Sequence, residues 1–200
     1  MRDDKEPSDA ALWLEATSGT ESAFAALFDR HRRRVFRKAY AQVRSVADAE
    51  DVVAMVFLEA WRSRANVRIV DGSMLPWLLK VTGYVISNQT RTARRYKRLL
   101  AALPEPAQVT DHADDVLGRL EREPQMLAVR NAMAKLSGQE REILDLCVVE
   151  EMSVATAAAL LGLPVGTVKS KLHRAREKLR RRIPPSLSPA LRARLDGAEA

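Results

Sequence analysis

The stretch that most narrows what this chain can fold into runs from Met152 to Arg182, MSVATAAALLGLPVGTVKSKLHRAREKLRRR. Val154, Ala157, Ala158 and Leu161 recur at helical spacing before Gly162-Leu163-Pro164. After it, Val165, Val168, Leu172, Ala175 and Leu179 follow at intervals of 3, 4, 3 and 4. The spacing predicts two short amphipathic helices. Gly162 supplies the left-handed residue that ends the first, and Pro164 suits the first turn of the second. Two such helices around a small-residue corner predict a helix-turn-helix, whose second helix enters the DNA major groove.

Charge supports that reading. Lys169, Ser170, His173, Arg176 and Arg180 fall on sides away from the apolar stripe, flanked by Lys171 and Arg174. From Lys169 to Arg182 there are eight Lys or Arg and one acid, Glu177, a net of +7 that equals the net charge of all 200 residues. A solvated basic face would explain the charge by itself. With the corner and the apolar stripe beside it, the expected partner is DNA.

At these residues a family resemblance becomes specific. Leu163 to Arg176, LPVGTVKSKLHRAR, resembles the promoter-reading helix of the extracytoplasmic-function (ECF) sigma factors of bacteria. Leu136 to Leu144, LSGQEREIL, is similar to the string that opens the same domain in that family. The chain departs at Thr156, Ala157 and Ala158, where the family has Glu-Ile-Ala.

The N-terminal half is also helical in pattern. Aromatics make up only 5% of the chain and period-2 strands do not stand out, so an all-α protein is expected. Phe24, Leu27, Phe28, His31 and Val35 form one stripe, with Arg30, Arg32, Arg33, Arg34, Arg37 and Lys38 over much of the rest. His31 on that stripe is expected to pack in the core or at its boundary. Thr20 or Ser18 can cap this helix. In Val46–Trp61, Asp48, Glu50 and Asp51 crowd the first turn, where the helix dipole favours negative charge. Val52, Val53, Val56, Phe57, Ala60 and Trp61 are expected to form its buried side. Pro76 then opens a helix in which Trp77, Val81, Tyr84 or Val85, and Asn88 share a face. Its end, Arg91 to Arg98, holds five cations and no acid. Rings among cations suit melted DNA, where bases stack and phosphates meet Lys and Arg; core packing is the expectation for Trp77.

These segments carry the resemblance further. Val46–Trp61 is similar to the family segment that docks on a coiled coil of RNA polymerase, with Ala54 where Gln is common. Trp77-Leu78, Arg91 and Arg95 match the segment that opens and reads the −10 promoter element, with Tyr84 replacing Asn and Asn88 replacing Asp. The loop from Asn66 to Leu75 corresponds to the family's base-capturing loop. The resemblance implies a sigma factor that binds core RNA polymerase and both double-stranded and melted promoter DNA. Asp48, Glu50, Asp51, Val52, Met55 and Phe57 would then face the polymerase. Trp77, Tyr84, Asn88, Arg91, Arg94 and Arg95 would engage the −10 element. Lys169, Ser170, His173 and Arg174 would read the −35 element, with Thr167, Lys171 and Arg176 on phosphates. An anti-sigma factor as controlling partner, and a stress or envelope signal, are further implications of the resemblance.

The expected organisation is a loose N-terminus (1–10), a first helical domain (11–98, region 2), a linker (99–125), a second helical domain (126–183, region 4) and a tail (184–200). Between Leu99 and Pro124 six acids face two bases, a net of −4 punctuated by prolines, which predicts a mobile linker. In the family such a linker threads near the RNA exit path. The tail is too short for an appended sensing domain.

No catalytic constellation is visible, and an enzyme, a cofactor and a metal are not expected. Gly166-Thr-Val-Lys-Ser170 lacks phosphate-loop spacing. Asp48, Glu50 and Asp51 lack a His or a second acidic cluster, and His31, His112, His173 and Cys147 have no ligand spacing. Cys147 is the single cysteine and reads as a buried structural thiol. The polar start, with no apolar core, is not a signal peptide, and no run of about 18 apolar residues predicts membrane insertion. A cytoplasmic protein is expected. The competing readings are a dimeric helix-turn-helix regulator, and a membrane-surface or RNA-packaging protein bound by charge alone.

Overall fold

Ser8 opens the first helix: its hydroxyl accepts the Ala11 N–H at 3.2 Å, and α1 (Asp9–Thr17) follows. The computed structural model describes residues 6–100, 129 and 131–182, with the backbone alone at 93, 94 and 96–100. Helix α1 therefore starts inside the ten residues expected as a lead-in. It buries Asp9, Leu12, Trp13 and Ala16 and ends at Gly19, whose φ of 106° is open to glycine and strained for other residues.

Helix α2 (Glu21–Val43) buries Leu27, His31, Val35 and Ala39, a stripe at intervals of four. Thr20 holds the N-cap position without a side-chain cap bond. Left-handed Arg44, at φ 58°, ends the helix. Helix α3 (Val46–Arg62) starts on Ser45, whose hydroxyl accepts the Asp48 N–H at 3.3 Å. It buries Ala49, Val52, Val53, Val56, Phe57 and Ala60. A short 3₁₀ turn (Arg64–Asn66) and a tight turn closed by Val70 and Ser73 lead into α4 (Leu75–Leu100). Pro76 sits in the first turn, where its missing N–H costs no helix bond.

Helix α2 packs between α1 and α3, and α4 packs against both α2 and α3. Leu27, Val35, Val52, Val56, Met74, Leu78 and Leu79 fill the centre of this unit. Phe24 meets Trp13, Phe57 and Trp61 at ring-centroid distances of 6.3, 6.3 and 5.6 Å. Trp61, expected on the buried side of α3, is 40% exposed. It lies one turn past Phe57, at the rim of the seam, with Phe24 against its ring.

The chain divides between Leu103 and Pro104 into two compact units. In the second, the Ser137 hydroxyl accepts the Glu140 N–H at 3.2 Å, and the Glu140 carboxylate accepts the Ser137 N–H at 2.8 Å. This reciprocal cap opens α5 (Gly138–Leu144). The helix runs into a wider π-helical turn, Asp145–Val149, which turns Leu146, Cys147 and Val148 inward in succession. Helix α6 (Val154–Leu161) is capped by Ser153 and ended by Gly162 at φ 67°, as the corner predicts. It buries Ala157, Ala158 and Leu160, while Leu161, expected on that stripe, is half-buried. Helix α7 (Val165–Arg180) follows with Pro164 at its N-cap position. Among the described residues every regular element is a helix. Of the linker expected at 99–125, Leu99 and Leu100 are the last residues of α4 and 101–125 lie outside the described residues, as does the tail expected at 184–200.

Candidate nucleic-acid interface

Helix α7 presents two faces. Val168, Leu172, Ala175, Arg176 and Leu179 are buried against the rest of the second unit. Lys169, Ser170, His173 and Arg174 are exposed on the other side, with Thr167 and Lys171 half-buried at its edges. Gly166 beside them has nothing within 4 Å of where a Cβ would stand, so a groove edge can approach the backbone there. The Arg174 Nε–H donates to the Ser170 carbonyl at 3.3 Å and the Ser170 hydroxyl to the Thr167 carbonyl at 3.0 Å, which holds these side chains along the helix.

Arg176 corrects the sequence expectation. The resemblance puts it on the phosphate-binding side, but only 7% of it is exposed. Position 176 follows Leu172 by four and precedes Leu179 by three, so it shares their inward stripe. Its charge bears on Cys147. Burial pushes the Cys147 thiol up, and Arg176 offsets part of that. The result is a buried thiol of the kind the apolar sequence around it suggests.

On α4, Tyr84 is 69% exposed, and Asn88, Arg91 and Arg95 are also exposed. Their spacing of 4, 3 and 4 sets them in one stripe along the helix. Trp77 and Val81, expected to share a face with Asn88, are buried at 7% and 8%. Trp77 therefore belongs to the core. The Arg94 side chain lies outside the described residues.

A third surface runs along α2 and α3. Asp48, Glu50, Asp51 and Met55 are exposed, whereas Val52 and Phe57 are inside at 0% and 3%. A partner can touch the first four; Val52 is wholly inside the core, and Phe57, packed on Phe24 and Phe28 of α2, shows only its edge at the floor of a cleft. Leu58 at 51% and Trp61 at 40% extend the accessible face. The sequence carried a signal for this: Ala54, Met55, Leu58 and Trp61 form a second apolar stripe, offset from the core stripe. Below it lies a cleft of about 600 Å³ between α1, α2 and α3, lined by Phe24, Phe28, Phe57 and Trp61 among others. A second cleft of about 460 Å³ shares Phe28 and Ala54 with it and is rimmed by Arg32, Arg33 and Arg37. The two clefts adjoin at Phe28 and Ala54, and Glu50 stands with the three arginines on the second.

Comparison with known proteins accounts for both units. The family model for Sigma-70 region 2 matches residues 27–96, and that for Sigma-70, region 4 matches residues 126–179. The chain is 30% identical over 176 residues to the ECF RNA polymerase sigma factor SigM of Mycobacterium tuberculosis, covering 88% of this chain and 85% of that one. This chain belongs to the ECF sigma factors. It is 23% identical over 175 residues to the family member SigW of Bacillus subtilis, covering 84% of this chain and 93% of that one. Among solved structures, CnrH in complex with the cytosolic domain of CnrY matches with a TM-score of 0.51 and 27% identity, over 88% of this chain and 96% of that one. A stand-alone helix-turn-helix regulator has no counterpart for the region 2 match. Among the described residues no helix is long and apolar enough to cross a membrane.

Proposed function

We propose that this sigma factor binds core RNA polymerase through the α2/α3 face and engages promoter DNA through two separate helices. Asp48, Glu50, Asp51 and Met55, with Leu58 and Trp61, form the polymerase-facing surface. Acids at the start of α3 set the charge of the contact, and the exposed apolar side chains supply its buried area. Lys169, Ser170, His173 and Arg174 read the −35 element in the major groove, with Thr167 and Lys171 on phosphates. Tyr84, Asn88, Arg91 and Arg95 meet the −10 region, the ring stacking on an unpaired base while the arginines hold the backbone. Arg176 is left to packing.

The observation that carries this reading is the pairing, in one chain, of two exposed cationic stripes, on α4 and α7, with an exposed apolar face on α3. An anti-sigma factor covering the α2/α3 face until a stress or envelope signal arrives fits the same surface, and polymerase as partner places the protein in the cytoplasm. Run-off transcription with purified core polymerase on genomic fragments tests the reading. Discrete new start sites that vanish without this protein are expected. Tight binding to a palindromic duplex with no stimulation of polymerase would overturn it in favour of a dimeric regulator.

A further inference from the structure

A buried polar cluster beneath the loop ahead of α4 is used by none of these surfaces. At its centre is Asp9, the first residue of α1, which is 3% exposed. Its Oδ2 accepts the Met74 backbone N–H at 2.8 Å, the Ser73 hydroxyl at 3.0 Å and His31 Nε2 at 2.7 Å. A carboxylate only accepts, so Nε2 carries the proton. Its Oδ1 accepts Arg30 Nη1 at 2.7 Å. The Ser73 oxygen in turn accepts the Leu75 N–H at 3.1 Å, at the first residue of α4. One side chain thus ties together α1, two consecutive residues of α2 and the turn that launches α4.

The turn needs such a tie. Val70 and Ser73 exchange backbone bonds of 2.9 and 3.1 Å across Asp71 and Gly72, both left-handed at φ 52° and 76°. Asp71 pays the strain of a non-glycine residue there. Isolating a carboxylate from water is costly, and an apolar residue of similar size would often be as stable. What a carboxylate adds here is direction: two of its four donors, the Met74 N–H and the Ser73 hydroxyl, belong to the turn.

We propose that Asp9 is a positioning residue for promoter opening: it holds the 70–74 turn, and with it the loop from Asn66 to Leu75 and the start of α4, in the geometry that receives an unpaired base. This rests on the reading above, in which α4 engages the melted −10 region, and on the resemblance by which the loop from Asn66 to Leu75 corresponds to the family's base-capturing loop. Helix α1 then braces the DNA-opening segment without touching DNA.

The test compares Asp9→Asn with the parent protein, each as full-length chain on core polymerase. The templates are a duplex promoter found by the run-off assay and the same promoter pre-melted at −10 by mismatches. Asn keeps the size but sets an amide N–H against His31, Arg30 or Ser73. Expected is a loss of about tenfold in open complex on the duplex, read by permanganate reactivity of unpaired thymines, that shrinks to about twofold on the pre-melted template. Polymerase affinity and binding of a −35 duplex stay at parental levels. Equal opening of the duplex by both proteins overturns the proposal, as does an equal loss on both templates, which marks a folding defect alone. If Asp9→Asn does not fold, Ser73→Ala decides by the same comparison, with a several-fold duplex-selective loss expected and parental opening overturning the proposal. A parent that gives no start site fails the functional reading itself, which separates the two failures.

Discussion

Lys178 Nζ lies 2.7 Å from Glu140 Oε1 and 2.9 Å from Oε2, joining the last turns of α7 to the first turn of α5. Glu140 is also the residue that closes the α5 capping box on Ser137. The same carboxylate therefore starts one helix and anchors the DNA-reading one. The Lys178 ammonium, with the Ser137 backbone N–H, holds the Glu140 carboxyl down at about 2.

A depressed carboxyl stabilises the fold above its unfolded value of 4.5, and that contribution drains as pH falls toward about 2. Glu140→Gln is expected to lower stability at pH 7 by about 1–2 kcal/mol, discounted because Lys178 is half in solvent. The difference from the parent should narrow between pH 4.5 and 2. All three tryptophans, Trp13, Trp61 and Trp77, lie in the first unit. Urea unfolding followed by helical circular dichroism should shift, while the tryptophan transition stays in place.

Arg174 and Arg176 are two residues apart and are expected to behave oppositely. Arg174→Ala should weaken binding of a −35 duplex by about 1–3 kcal/mol at fixed salt, and move stability by less than about 0.5 kcal/mol. Arg176→Ala opens a hole in the inward stripe of α7 and should cost more than about 1 kcal/mol of stability. Anisotropy titrations alongside urea melts separate the two.

Gly162 ends α6 in the left-handed region at φ 67° and donates its N–H to the Ala158 carbonyl. Gly162→Ala should destabilise the second unit by about 1 kcal/mol and reduce −35 binding only in proportion to the unfolded fraction. Circular dichroism melts with and without excess duplex check both.

Val52 and Leu58 divide the two sides of α3. Leu58→Asp, at a half-exposed position, should leave the tryptophan unfolding transition near the parental one while abolishing co-elution with core polymerase. Val52→Ala, at a fully buried one, should cost about 2 kcal/mol in that transition and keep the complex once folded.

Local rules made much of this readable. Gly162, Pro164 and the Val168–Leu172–Ala175–Leu179 stripe of α7 act within a few residues, so the corner and its helices follow from sequence, although Val165 at the head of the expected stripe is exposed. The α3 start and the Leu27–His31–Val35 stripe follow likewise. Trp61 and Arg176 were misplaced for one reason: a helical wheel gives the direction of a side chain but not how far the facing surface extends. Trp61 points toward α2 and emerges at its rim; Arg176, charged and followed by Glu177, is covered all the same.

The sequence by itself determined the helices, the glycine corner, the helix-turn-helix and the family, because each depends on short-range periodicity or on strings of adjacent residues. Only the tertiary structure decided that Asp9, in a segment that reads as a loose charged lead-in, is buried under four donors. Those donors come from positions 21 to 65 residues away. No local pattern encodes that distance, since burial is set by whichever distant surface arrives to cover a residue.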